Sequence, residues 1–540
     1  MDIVAANYDK HNKIWSGPKI APLHNIEHHS VGRILYGQLR THPKKLLLID
    51  EEDGRHVTNQ EALTWGIRIA LFLKSRRLRY DDVVGIAARN TTYLTSVALG
   101  CFFNCTPFHG VNPAYQEDAL SHCFGITKPS IIFCDGRDYG KIKSATKSFK
   151  PDIYTISEHM EGVPSVLELL EPNPKEHFYQ PEKLTLGADQ TVCILCSSGT
   201  TGLPKAVTIS AHKLMFENPV LTSEDIIYTS TALDWMSGLM ITLFNIYMCC
   251  TRVITRKPFT PEHFIEMVKK YKITNVTISP VQAVALRECA LFTTENVSTI
   301  RILNCGGGYI SKQTLAQIQS TLPRSLICFG YGLTEAGGVS GYFGLERGNS
   351  VGKLVPNIRL RIVDDNGKNL GPNEFGEVWV HYPFHWAGYY GNPIETQRIY
   401  DSLGWFHTGD LGYMDEDGFL YVKDRKKDIL KYQGLHFWPG EIENVVRELP
   451  EVLDCCVVGV YDERSGEVPG ALVVKKKGCN ITAEQIVKHV QERLVEPQKQ
   501  LHNGVYFVES LPHNNNGKIL KREARDIFKE LMKEKKTLDR

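Results

Sequence analysis

Ser197-Ser198-Gly199-Thr200-Thr201-Gly202-Leu203-Pro204-Lys205 brings hydroxyls, two glycines and a lysine together in one short stretch. It follows an apolar run, Val192 to Leu195, that reads as a strand. Such a stretch suits phosphate binding. Glycine lets backbone N–H groups approach an oxyanion, hydroxyls add donors, and lysine adds positive charge. It is not the Walker type, which needs GxxxxGK followed by Ser or Thr. Here Gly202 is followed by Leu203, and Lys205 by Ala206. The preceding Cys193-x-x-Cys196 has redox or zinc spacing. No second CxxC or His pair completes a zinc site, so both cysteines read as core thiols.

The elements that position this loop alternate between apolar strand-like runs and helical periods. Thr260-Pro261 reads as an N-cap with Pro at the first helical position. Phe264, Ile265 and Val268 then recur at helical spacing. From Thr274 to Ile278 the period becomes two, with β-branched Thr274, Val276 and Ile278 on one face. A helix-like run, Val281 to Cys289, comes next, and a buried strand, Ile300 to Leu303, leads to Gly306, Gly307 and Gly308. This alternation predicts an α/β fold: parallel-rich sheets flanked by crossover helices, with ligands at the carboxyl ends of strands.

The end of the chain reads differently. Glu441 to Leu449 is helical, and Cys455 to Tyr461, Ala471 to Val474 and Val505 to Val508 are strands. Thr482 with Gln485 has the capping-box pattern, with Ile486, Val487, Val490 and Leu494 as the apolar face behind it. A charged helix closes the chain. The charged segment Val422 to Asp428 is the best boundary, giving a large N-terminal domain, residues 1–424, and a small mobile α+β domain, residues 425–540.

Composition narrows the function. The 540 residues are 42% hydrophobic and 10% aromatic, enough for a sizeable core. Lys+Arg 62 against Asp+Glu 61 leaves a net charge of +1, with no basic excess to drive nucleic-acid binding. The greasiest stretch, Trp235 to Cys250, is broken by Ser237 and Asn245 and falls short of the ~18 or more apolar residues of a membrane span. The N-terminus lacks an apolar signal core, and Leu538-Asp539-Arg540 is no SKL-type tripeptide, so a cytoplasmic protein is expected. Fourteen cysteines then read as buried thiols, not a disulfide framework.

The glycine-rich loop is similar to the signature loop of the adenylate-forming enzymes: acyl-CoA synthetases, coumarate–CoA ligases, firefly-type luciferases and adenylation domains. Further motifs follow in register. Tyr331-Gly332-Leu333-Thr334-Glu335 resembles their YGxTE motif, and Gly404-Trp405-Phe406-His407-Thr408-Gly409-Asp410 their GWxxTGD. Asp424-Arg425 with Lys431-Tyr432-Gln433-Gly434 resembles the hinge and the loop after it, and Asn516-Gly517-Lys518 the C-terminal lysine motif. The likeness runs from about Val57 to Arg522, most strongly to the luciferase and coumarate–CoA ligase branch.

The resemblance implies ATP, Mg²⁺ and CoA as cofactors and a small-molecule carboxylic acid as substrate. Acid and ATP give acyl-AMP and pyrophosphate, and CoA thiol then displaces AMP. The first step presses a carboxylate against an anionic α-phosphate. Lys518 is the residue expected to bridge them, with charge-assisted bonds of roughly 1.5–3 kcal/mol each. Glu335 is the expected Mg²⁺ ligand, since hard cations share carboxylate and phosphate oxygens. Thr334 would donate to the α-phosphate, and Tyr331, beside Gly332, would stack near adenine. Asp410 would accept from the ribose hydroxyls, and Arg425 would reach ribose or phosphates. Gly306, Gly307 and Gly308 would admit adenine or the acyl chain. In this family the small domain rotates between half-reactions, with Asp424 at the pivot, Lys518 serving adenylation, and the Lys431 to His436 loop serving thioester formation.

Trp235 stands where luciferases and coumarate–CoA ligases carry a histidine. Indole has one N–H donor and no basic nitrogen, which counts against light emission. The acid pocket is expected near Trp235, Met236, Leu239, Gly338 and Val339. The surrounding stretches, Trp235 to Leu243 and Tyr331 to Tyr342, hold no Lys, Arg or His to pair a second charge. A medium- or long-chain fatty acid is therefore the first expectation and an aryl acid the second. A luciferase-like monooxygenase, a carrier-protein-loading adenylation enzyme and a non-catalytic binding homologue are the other readings.

Overall fold

The structure is a computed structural model and describes residues 7–20, 30–197, 204–215, 220–308, 310, 312–343, 350–513 and 519–538. Its described strands form four sheets. In the six-stranded sheet, Phe108–Gly110, Val84–Ala87, Ile131–Asp135, Asp152–Ser157 and Thr191–Ser197 run parallel, and Lys205–Ser210 returns antiparallel to Thr191–Ser197. The nine-stranded sheet is parallel through Leu46–Asp50, Thr251–Ile254, Ile226–Thr229, Asn275–Ile278, Ile302–Gly306 and Leu326–Leu333. Gly337–Phe343 then turns back antiparallel beside Leu326–Leu333. The expected parallel-rich sheets are these two.

A third, seven-stranded sheet was not anticipated. It is antiparallel, built from Asn7–Asp9, Ile14–Ser16, Arg359–Val363, Asn369–Leu370, Gly376–His381, Trp405–Met414 and Leu420–Arg425. Alternation within Gly376–His381 is clean, with Val378 and Val380 buried and their neighbours half-exposed. Its partners, however, come from opposite ends of the chain, which local pattern cannot reveal.

Local signals hold where they are strongest. Thr260 caps Pro261–Tyr271 through its side chain, and Phe264, Ile265 and Val268 are buried. Thr482 and Gln485 form the full capping box of Ala483–Arg493. The run near Trp235 is the core helix Met236–Tyr247, and the Asn245 amide inside it donates to the carbonyls of Leu47 and Cys250 at 3.1 and 2.6 Å. Among the described residues no helix is long and apolar enough to cross a membrane. Cys193 and Cys196 are buried, and all fourteen cysteines are free.

The fourth sheet joins Leu430–Tyr432, Leu435–Phe437, Gly466–Lys475, Val452–Asp462 and Val505–Phe507 into a small lobe. Helices Pro439–Val446 and Ala483–Arg493 close one side, over a core around Phe437, Ile442 and Ile486. Lys521–Leu538 closes the other through Ala524 and Phe528. The charged boundary segment is less loop-like than its composition suggests. Leu420–Arg425 continues as a strand because Asp424 and Arg425 pair with Leu411 and Asp410, and one short turn, Lys426–Asp428, follows.

Gly470 faces the Phe528 ring so closely that an added Cβ would collide with it. Gly470→Ala should therefore cost about 1–3 kcal/mol of small-lobe stability. Denaturant unfolding checks this, and an unchanged midpoint would contradict the packing.

Candidate active site

Ser197, Gly306 and the Tyr331 to Glu335 stretch sit at the carboxyl ends of strands in the two parallel-rich sheets. Ser197 ends one strand and Lys205 begins its return partner, and the two are paired across the hairpin. Ser198, Gly199, Thr200, Thr201 and Gly202, like Lys518, lie outside the described residues. Gly306 ends Ile302–Gly306, with Gly307 and Gly308 exposed after it, and Gly307 holds φ +88°. Tyr331 and Gly332 lie in Leu326–Leu333, and Thr334 and Glu335 in the turn that follows.

The tightest cluster joins two sheets. Asp410, 3% exposed, accepts the Tyr331 hydroxyl at 2.5 Å on one carboxylate oxygen. The Arg425 Nε pairs with the other at 3.1 Å. Burial and the Asp410 charge push the Tyr331 phenol well above its ordinary range, so it remains a donor. Asp410 and Arg425 are cross-strand partners, so the third sheet holds the pair in register.

A second cluster runs from Lys205 to Glu335. The Lys205 ammonium donates to the Glu395 carboxylate at 2.6 Å and lies 4.9 Å from the Tyr389 ring centroid. The Tyr389 hydroxyl donates to Glu335 Oε1 at 2.8 Å. Main-chain bonds hold Gly388 and Tyr390 beside the strand Lys205–Ser210. Sequence reasoning missed Tyr389 and Glu395. The dense aromatic and glycine run His385-Trp386-Ala387-Gly388-Tyr389-Tyr390-Gly391 was the available signal.

Two further lysines were also missed as site residues. Lys427 lies in the field of Arg425, Asp410 and Lys205; burial first, then Arg425, lowers its ammonium below the ordinary lysine range. Lys213 donates to the Glu335 backbone carbonyl at 2.6 Å and sits 5.7 and 5.9 Å from the Trp386 and Tyr382 rings. The residue is partly exposed, but its ammonium is enclosed, and burial pushes it down to about 8. The folded state therefore binds this proton less tightly than the unfolded chain. Its penalty is full below pH 8 and is relieved as pH rises toward the ordinary lysine value. Relative to Lys213→Met, the wild type should gain about 2 kcal/mol between pH 8 and 10. Paired urea titrations measure that difference, and a pH-independent difference would contradict it.

Other expected residues fall elsewhere. Lys431 is exposed on the hairpin Leu430–Tyr432 and Leu435–Phe437, paired with His436, and has no ion pair among the described residues. Trp235, half-buried, precedes the helix Met236–Tyr247 without capping it through its side chain. Its neighbour Asp234 is buried, which pushes that carboxyl up to about 7. Met236 is half-buried and Gly338 exposed, whereas Leu239 and Val339 are sealed inside the core.

Comparison with known proteins gives the family. The family model described as AMP-binding enzyme matches residues 35–390, and that for the AMP-binding enzyme C-terminal domain matches residues 441–518. Luciferin 4-monooxygenase of Photinus pyralis is 28% identical over 543 residues, covering 95% of this chain and 97% of the relative. 4-Coumarate–CoA ligase-like 9 of Arabidopsis thaliana is 29% identical over 502 residues, covering 89% and 86%. The crystal structure of ATP-bound MatB from Rhodopseudomonas palustris superposes with a TM-score of 0.83 at 23% identity, covering 93% of this chain and 100% of that one. With one model spanning most of the large lobe and a second the small one, the chain belongs to the AMP-binding, adenylate-forming enzymes.

Proposed function

We propose that the protein is an ATP-dependent carboxylic acid–CoA ligase that works through an acyl-adenylate, on a medium- or long-chain fatty acid. The observation that carries this reading is the Tyr331–Asp410–Arg425 cluster beside the Lys205–Tyr389–Glu335 chain. Together they set carboxylate acceptors for ribose and metal among cations suited to a polyphosphate. Each Asp410 oxygen already accepts one partner and keeps a second lone pair for a ribose hydroxyl. Arg425, Lys427 and Lys205 supply positive field for the phosphates.

Glu335 fits Mg²⁺. Tyr389 occupies Oε1, and Oε2 has no protein partner among the described residues. No cluster of three or more ligating side chains occurs among those residues. One carboxylate shared with substrate phosphates is the ordinary magnesium arrangement. The metal, when bound, neutralises phosphate charge.

In the first step a carboxylate oxygen attacks the α-phosphorus while the bond to pyrophosphate breaks. Lys518 holds both anions as they meet, and Thr334 donates to the α-phosphate. In the second step the CoA thiolate attacks the acyl carbonyl and the carbon–oxygen bond to AMP breaks. Trp235 and Met236 would border the acyl site, and Met236 and Met240 both pack against the core. Flexible thioethers accommodate an apolar chain, and the stretches Trp235 to Leu243 and Tyr331 to Tyr342 carry no Lys, Arg or His of their own.

The test is pyrophosphate release from ATP across fatty and aryl acids, with and without CoA. Release with a fatty acid, and CoA-dependent AMP production, supports the reading. Turnover only with aryl acids moves the substrate class. Light with luciferin would support the activity named for the Photinus relative instead.

A further inference from the structure

Asp424 and Arg425 are successive residues of one strand, so their side chains leave on opposite faces. Arg425 points to Asp410 in the large lobe. Asp424 turns to the small lobe, where its Oδ2 accepts the Gly440 N–H at 3.1 Å and its Oδ1 lies 3.7 Å from the Lys521 ammonium. The same ammonium lies 3.6 Å from Asp428, beyond the turn Lys426–Asp428, and in the field of Glu443. One lysine thus faces the carboxylate of the predicted pivot residue, Asp424, and that of Asp428 beyond it.

These groups are sheltered. The Asp424, Asp428 and Glu443 side chains are 8, 20 and 10% exposed, and the Lys521 side chain that joins them is 34% exposed. Lys521 is also the first residue of the helix Lys521–Leu538, where the helix dipole disfavours a cation. Its local position is therefore unfavourable, and the carboxylates are what compensate it. Another charge pair between the lobes, Lys476 with Glu288 at 3.9 Å, is looser, has the more exposed carboxylate and is worth little.

We propose that Lys521 is a positioning residue for the adenylation step. Shared between Asp424 and Asp428, it latches the small lobe, whose sequence carries Lys518, in the orientation seen here. Rotation about the turn Lys426–Asp428 separates Lys521 from Asp424 while Asp428 travels with it. The latch rests on the ligase reading only for its catalytic consequence.

Wild type, Lys521→Met and Lys521→Arg, all full-length, test it. Hydrogen–deuterium exchange over residues 425–440 needs no turnover and decides the latch itself. Lys521→Met should exchange there at least about tenfold faster, with large-lobe sheets unchanged and Lys521→Arg close to wild type. Unchanged exchange in Lys521→Met overturns the proposal. In the half-reactions, pyrophosphate release should fall about tenfold while thioester formation from supplied acyl-adenylate falls less than about twofold. Equal loss in both overturns the positioning role. If Lys521→Met fails to fold, Asp424→Asn must give the same exchange and rate pattern. A wild type that never releases pyrophosphate, yet has a latch-dependent exchange pattern, refutes the ligase reading and leaves the latch standing.

Discussion

Lys518→Ala is expected to slow acyl-adenylate formation by about 10²- to 10³-fold, the usual cost of removing one group that stabilises developing charge. Thioester formation from supplied acyl-adenylate should change little. The asymmetry follows from the chemistry. Only the first half-reaction drives two anions together, and only there does a bridging ammonium act chiefly on the transition state. Lys518→Arg should recover little, because a planar fork does not replace a compact ammonium between two oxygens. The two half-reactions, assayed separately, check this. Equal loss in both would contradict the division of labour between Lys518 and the Lys431 hairpin.

Asp410→Ala has the second large effect, and it reaches both stability and catalysis. The Asp410 carboxylate is buried between the Tyr331 hydroxyl and the Arg425 guanidinium. Its removal strands a half-buried cation and a phenol. Because Arg425 keeps part of its surface in water, the loss should cost about 1–3 kcal/mol, and the unfolding midpoint should drop. Asp410→Asn keeps the shape and loses the charge, which makes it the cleaner catalytic probe. Its kcat/KM for ATP should fall about 10²-fold, close to 2.7 kcal/mol at the transition state. A folded Asp410→Asn with wild-type ATP kinetics would remove Asp410 from the nucleotide site.

What was legible in the sequence was mostly local. The Thr260 and Thr482 caps lie within one turn of the residues they serve, so adjacent letters encode them. The apolar run Val192 to Leu195 is a strand buried on both faces, readable from composition alone. The glycine loop was read from its own residue types and Asp410 from a motif resemblance; Asp410 is buried against Tyr331 and Arg425. What stayed hidden was distant. Tyr389 reaches Glu335 from 54 positions away, and Lys213 reaches its carbonyl from 122. No period or spacing rule links such residues; the sheets bring them together.

The third sheet hid for the same reason, since Ile14–Ser16 pairs with Arg359–Val363 across most of the chain. The boundary segment carries structure that its charge alone does not show. Charge marked Val422 to Asp428 as a connector, whereas Arg425 and Asp424 are strand residues whose charges are used on opposite faces. Of the residues expected to line the acid pocket, Met236 is half-buried and packs against the core, and Leu239 and Val339 are sealed inside it.

The most direct measurement follows the oxygen atoms of the acid. A fatty acid labelled with oxygen-18 in its carboxylate is incubated with the full-length protein, ATP, Mg²⁺ and CoA, and the AMP is weighed by mass spectrometry. Attack of the carboxylate on the α-phosphorus, followed by thiol attack at the acyl carbon, leaves one labelled oxygen in AMP and one in the thioester. Unlabelled AMP, or label in inorganic phosphate with ADP as the nucleotide product, would contradict the adenylate route.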